Sequence, residues 1–173
     1  MPDRELSEQA QALLDLCRKK GLKIAAAESC TGGLVAATLT EIAGSSDVFE
    51  RGFVTYSNEA KQAMLGVAPM TLASFGAVSR ETAEAMAKGA IAQAPVDLAV
   101  SITGIAGPGG AVPGKPVGLV HLAAASRDGR LIHHGRKYGD IGRAQVRRAA
   151  VVEAFAMLRE LAEQEEPKPP SAG

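Results

Sequence analysis

Apolar side chains in the first twenty residues recur at helical spacing, with Leu6, Ala10, Leu13, Leu14 and Cys17 on one stripe. The basic end Arg18-Lys19-Lys20 suits the negative pole of a helix, and Gly21 is placed to stop it. The period then changes. Leu22 to Ala27 is a short apolar run of strand length, interrupted at Glu28-Ser29-Cys30-Thr31-Gly32-Gly33, after which Leu34 to Ala43 has helical composition. Phe49 to Ser57 is rich in residues that suit a pleated surface, and Asn58 to Leu65 predicts a helix that Gly66 ends.

The second half repeats the alternation and then departs from it. Ser79 is a good N-cap for a helix over Arg80 to Gln93, with Pro95 just past its end, and Val96 to Thr103 predicts a buried strand. Gly104 to Pro116 holds five glycines and three prolines and must be loop. Val117 to Ala125 predicts a strand, joined through an Arg127-Asp128-Gly129-Arg130 turn to a hairpin partner at Leu131 to Lys137. Asp140 is placed to cap a last helix whose face is Val151, Phe155, Leu158 and Ala162. Residues 165–173 are charge, proline and small side chains, the composition of a disordered tail. The expectation is one layered α/β domain over 1–164, a mixed, mostly parallel sheet flanked by helices with a late β-hairpin.

Composition narrows the function classes. Lys plus Arg and Asp plus Glu both number 19 in 173 residues, so no broad electrostatic footprint for nucleic acid or an anionic membrane is expected. No apolar run approaches the roughly 20 residues of a membrane span, and the polar opening lacks a signal peptide's apolar stretch, so a cytoplasmic protein is expected. Cys17 and Cys30 fall on different predicted elements and read as reduced thiols. The 32 alanines and 3% aromatics favour close packing of thin side chains, and the alanine-rich faces suit a homo-oligomer.

Three strand ends carry candidate chemistry. Glu28 to Gly33 offers the hydroxyls of Ser29 and Thr31, with Gly32 and Gly33 letting backbone approach an anion, or else it is a plain capped turn. In Tyr56 to Lys61 the lysine falls in the first turn of a helix, where the macrodipole disfavours a cation. It is either a base for a serine hydroxyl, with Tyr56 as proton donor or relay, or a surface lysine paired with Glu59. Thr103 to Gly110 suits a main-chain cradle for phosphate or ribose, or a flexible connection. Gly44-Ser45-Ser46-Asp47 adds hydroxyls before the Tyr56 strand, and alone is an ordinary loop.

Two readings are excluded. Gly109 to Lys115 has P-loop spacing, but Pro116 stands where a hydroxyl should hold magnesium and a strand follows. His133 and His134 point to opposite faces of a strand, with His121 on the partner strand, so no zinc constellation forms.

Ala27-Glu28-Ser29-Cys30-Thr31-Gly32-Gly33, Gly44-Ser45-Ser46 and Arg51 to Lys61, followed by Gly76-Ala77-Val78-Ser79, Ser101 to Gly110 and Lys115-Pro116-Val117-Gly118, resemble the CinA C-terminal domain family over roughly residues 5 to 162. Stand-alone members of that family include bacterial nicotinamide-mononucleotide deamidases. The resemblance implies a metal-independent amidohydrolase, without cofactor, that converts nicotinamide mononucleotide to nicotinic acid mononucleotide and ammonia in pyridine-nucleotide recycling. It maps the family's catalytic serine onto Ser29 or Ser46 and its tyrosine and lysine onto Tyr56 and Lys61. Thr31, Gly32, Gly33, Thr103, Gly104 and Arg143 match substrate-binding positions, with Arg143 as a phosphate partner. Ala111-Val112-Pro113-Gly114 departs from the more polar connection of many members. The competing expectation is a non-enzymatic nucleotide-sensing or competence- and DNA-damage-associated interaction module.

Overall fold

The computed structural model describes residues 3–170. In chain order the elements are α1 (Arg4–Lys20), β1 (Ile24–Glu28), α2 (Leu34–Thr40), a single 3-10 turn (Ser45–Asp47), β2 (Phe49–Val54), α3 (Asn58–Leu65), α4 (Pro69–Phe75), α5 (Arg80–Gln93), β3 (Leu98–Gly104), β4 (Leu119–Ser126), β5 (Leu131–Lys137) and α6 (Arg143–Gln164). The sheet order is β2-β1-β3-β4-β5. Its parallel part is confined to the pairing of β1 with β2 and β3, and the β3-β4 and β4-β5 pairs are antiparallel.

Alternation along the strands sorts side chains into two layers. Ile24, Ala26, Leu98, Val100 and Ile102 pack with Leu13, Leu14, Phe155 and Leu158 of α1 and α6 in the larger core. Each such leucine contributes about 1.5–3 kcal/mol by leaving water. Ala25, Ala27 and Ala99 face Met86 and Ala90 of α5, and Ala123 and Ala125 face Ala83 and Ala87. Alanine on both surfaces lets α5 lie close to the sheet, which accounts for much of the alanine content. The same closeness holds between helices: a Cβ on Gly89 would stand 2.0 Å from the Leu65 carbonyl oxygen of α3. His133 lies on the α5 side against His121, and His134 on the α6 side against Glu153, as the alternation predicts.

The structure corrects the sequence reading at several ends. The predicted helix over 34–43 stops at Thr40, and the predicted strand over 49–57 stops at Val54. Helix α4, started by Pro69 at its first turn, was not anticipated because its seven residues span too few turns for a visible stripe. Asp140 does not cap α6; the N-cap is Gly142, with no side-chain hydrogen bond. The expected tail is tethered over its described part. The Lys168 N–H donates to the Lys20 carbonyl at 2.9 Å, its ammonium pairs with Asp97, and Glu165 pairs with Arg130. Residues 171–173 of that tail lie outside the described residues.

Candidate active site

Because β1, β2 and β3 run parallel, their C-terminal ends open on one edge of the sheet. The chain leaves β1 toward β2 on one side and returns to β3 on the other, making β1 the point where strand order reverses and a ligand crevice forms. Two backbone bonds knit the three ends together: Thr55 N–H donates to Glu28 O at 2.8 Å, and Ser29 N–H to Ile102 O at 2.9 Å. A cleft of about 340 Å³ opens there, lined by Ser29, Cys30, Tyr56, Lys61, Thr103, Gly104 and Arg143 together with Ala77, Val78 and the 105–110 loop. That volume suits a small organic ligand.

Lys61 is the residue the cleft is built around. Ser57 caps α3 by accepting from Ala60 N–H at 3.0 Å, which places Lys61 in the helix's first turn pointing back toward the sheet. The side chain is 1% exposed and no carboxylate lies within ion-pair distance of it among the described residues. Its Nζ is 2.9 Å from Ser29 Oγ, 2.9 Å from the Thr55 carbonyl oxygen and 3.4 Å from that of Tyr56. Burial lowers its pKa from the ordinary lysine value. A neutral amine has two N–H donors and one lone pair. With the two carbonyls taking its donors, a neutral Lys61 would have its lone pair left for the Ser29 hydroxyl.

The turn carrying Ser29 is held from below. The buried Glu28 carboxylate accepts from Val35 N–H at 2.9 Å and Ala36 N–H at 3.1 Å, doing for α2 what a capping side chain does. Gly33 adopts φ 104°, a conformation that favours glycine and that turns the chain into α2. Burial pushes the neighbouring Cys30 thiol up to about 11, so it stays protonated and is no nucleophile near neutral pH.

The predicted residues divide clearly. Ser29, Tyr56, Lys61, Thr103, Gly104 and Arg143 converge on the cleft. Ser46 does not: it is exposed on the 3-10 turn before β2, whose first residue, Phe49, pairs with Ile24, so Ser46 sits at the opposite end of the sheet from Ser29. The family match at Ser46 carried no positional information, and the parallel register places it. Thr31, Gly32 and Gly33 shape the turn without lining the cleft, and the Gly32 N–H is already spent on the Ser29 carbonyl at 3.0 Å. Tyr56 lines the cleft, but its hydroxyl accepts from Arg143 Nη2 at 3.0 Å and is not paired with Lys61. Arg143 also donates to the Gly107 carbonyl at 2.9 Å, closing the cleft against the glycine loop. Thr103 Oγ1 donates to the Ala77 carbonyl at 2.7 Å, and a Cβ on Gly104 would come within 2.8 Å of the Leu119 carbonyl oxygen. Among the described residues no group of three or more His, Cys, Asp or Glu side chains is gathered as metal ligands.

Sequence reasoning missed Glu28 and Arg147. An acid ending an apolar strand just before a helix, and an arginine four residues beyond Arg143 on the same helix face, were the available signals.

A three-layer α/β domain with a buried lysine on a serine at its parallel strand ends defines a class. The chain belongs to the CinA C-terminal domain family, which it matches over residues 6–162. It is 44% identical to the nicotinamide-nucleotide amidohydrolase PncC of Enterobacter agglomerans, covering 92% of this chain and 98% of that protein. It is 50% identical to a CinA-like protein of Geobacter sulfurreducens over 86% of this chain but 35% of the relative, so it spans about a third of such longer relatives. The crystal structure of the competence/damage inducible protein CihA from Agrobacterium tumefaciens superposes with a TM-score of 0.90 at 53% identity, covering 93% of this chain and 97% of that one.

Proposed function

We propose that the chain is an amidohydrolase that deamidates nicotinamide mononucleotide to nicotinic acid mononucleotide and ammonia, in the recycling of pyridine nucleotides. The observation that carries this reading is the buried, carboxylate-free Lys61 bonded to Ser29 at 2.9 Å in a cleft of ligand size. Likeness to the relative named PncC over nearly its whole length supports the substrate.

The geometry supports one sequence of steps. Neutral Lys61 takes the Ser29 proton as Oγ bonds to the carboxamide carbon, and the former carbonyl oxygen becomes an oxyanion. The N–H of Cys30, the residue directly after the nucleophile and one that lines the cleft, is the donor assigned to receive it. As the tetrahedral adduct collapses the C–N bond breaks, and protonated Lys61 returns its proton to the leaving nitrogen, which departs as ammonia. That assigns to Lys61 the proton delivery that the sequence suggested for Tyr56. Water then attacks the acyl-serine as Lys61 takes its proton, the acyl C–Oγ bond breaks, Lys61 passes the proton to Ser29 Oγ, and nicotinic acid mononucleotide leaves and ionises. Arg143, with Tyr56 and the glycine loop, meets the ribose phosphate at the open end and orients the amide.

The chemistry needs no metal, since lysine supplies the base and backbone the oxyanion donor. Purified protein incubated with nicotinamide mononucleotide and a chelator is expected to release ammonia and nicotinic acid mononucleotide in equal amounts. Tight nucleotide binding with no ammonia would replace this reading with the sensing module. The cytoplasmic setting and a homo-oligomer remain part of the same proposal, tested by fractionation and by mass in solution.

A further inference from the structure

Arg147 projects from the first turns of α6 beneath the nucleophile turn, and neither cleft lining nor ion pairing accounts for it. Its Nη2 donates to the Thr31 carbonyl at 2.9 Å. Its Nε is buried without any hydrogen-bond partner, and no carboxylate lies within ion-pair distance among the described residues. Its neighbour Arg148, by contrast, is paired with Asp3 and Glu5. Burying an arginine here costs free energy that its one bond to the Thr31 carbonyl must offset, so what that bond does for the turn is the question.

The backbone supplies an answer. The peptide group that presents the Thr31 carbonyl to Arg147 carries the Gly32 N–H at its other end. That N–H donates to the Ser29 carbonyl at 3.0 Å. The peptide group of the Ser29 carbonyl ends in turn at the Cys30 N–H, the proposed oxyanion donor. Guanidinium, two peptide groups and oxyanion therefore form one head-to-tail chain of donors and acceptors, in which each bond polarises the next. We infer that Arg147 is a positioning residue for the amide hydrolysis, holding the Ser29 turn and strengthening the Cys30 N–H through two peptide units as negative charge develops on the substrate oxygen. This rests on the serine mechanism proposed above.

The charge, not merely the hydrogen bond, is then what matters. Ammonia release from nicotinamide mononucleotide is measured for Arg147→Gln, which keeps a donor without charge, and Arg147→Lys, which keeps the charge. The expected result is a kcat about tenfold lower for Arg147→Gln with KM within about twofold, and recovery of most of that loss in Arg147→Lys. Wild-type kcat in Arg147→Gln, equal deficits in the two variants, or failure of Arg147→Gln to fold would each show a structural tie and overturn the inference. Ser29→Ala run alongside separates the two claims. If Ser29→Ala still releases ammonia, the serine mechanism itself fails; if it is inactive while Arg147→Gln turns over normally, only the role of Arg147 falls.

Discussion

Replacing Lys61 with methionine removes the base while keeping an unbranched apolar chain in the same buried slot, so activity and stability should move separately. The stability change is a difference of two opposed effects. The buried Thr55 carbonyl, 2.9 Å from Nζ, loses its donor from Lys61, at about 1–3 kcal/mol for an acceptor left unsatisfied. Against this, the variant no longer buries an amine whose charged form the site disfavours, worth about 1.4 kcal/mol for each unit by which the native pKa lies below the unfolded one. Below its lowered native pKa the wild type carries that penalty in full. Between the lowered native pKa and the ordinary lysine value the native state binds fewer protons than the unfolded chain, so wild-type stability rises with pH there. Lys61→Met lacks this rise, so its stability relative to wild type should be most favourable below the lowered native pKa and decline as pH rises toward the ordinary lysine value. Activity has no such compensation, since the base contributes about 10²–10⁴-fold and acts as a unit with the nucleophile. Urea titrations at several pH values, paired with ammonia release from nicotinamide mononucleotide, measure both. Turnover of Lys61→Met within about tenfold of wild type would refute the base assignment. A variant whose stability relative to wild type did not change with pH would refute the buried, lowered lysine.

Other expectations follow from the same geometry. The acid limb of kcat/KM should rise through one ionisation lying below the lysine reference of 10.5, and a limb absent down to the carboxylate range would exclude Lys61. Arg143→Gln should raise KM for the nucleotide about tenfold or more with a smaller effect on kcat, because a charge-assisted contact to phosphate is lost; unchanged KM would remove the phosphate role. Gly104→Ala should destabilise by about 1–3 kcal/mol in denaturant titration, since its Cβ would stand 2.8 Å from the Leu119 carbonyl oxygen and 2.9 Å from Val120 Cα. A neutral substitution there would mean the β3-β4 pair can separate at its end.

Much of the fold was legible because its elements follow strong local rules. Helix α5 over Arg80–Gln93 and strand β5 over Leu131–Lys137 appear with the boundaries their caps and turns indicate. Ends set by tertiary geometry were less visible. Thr55 and Tyr56 have strand composition, yet β2 ends at Val54; the Thr55 N–H keeps a last bond to β1 while the carbonyls of both residues reach Lys61. For α6, Asp140 looked like a cap, but the chain runs on to Gly142 at φ 99°, a conformation open chiefly to glycine. In the site, hydroxyl, tyrosine and lysine positions could be read from motif blocks, whereas the choice between Ser29 and Ser46 could not. Both match blocks of the same family, and only the register of β1 with β2 sends one to each end of the sheet. Arg147 was invisible for a related reason: its partner is a backbone carbonyl 116 residues away, which leaves no mark in local composition.

The central claim is that Ser29, activated by Lys61, attacks the amide. Ammonia release from nicotinamide mononucleotide by Ser29→Ala and Ser46→Ala, measured side by side, tests it most directly. The account predicts a loss of at least about 10⁴-fold for Ser29→Ala and a change within about twofold for Ser46→Ala. Substantial turnover by Ser29→Ala, or an inactive but folded Ser46→Ala, would contradict it.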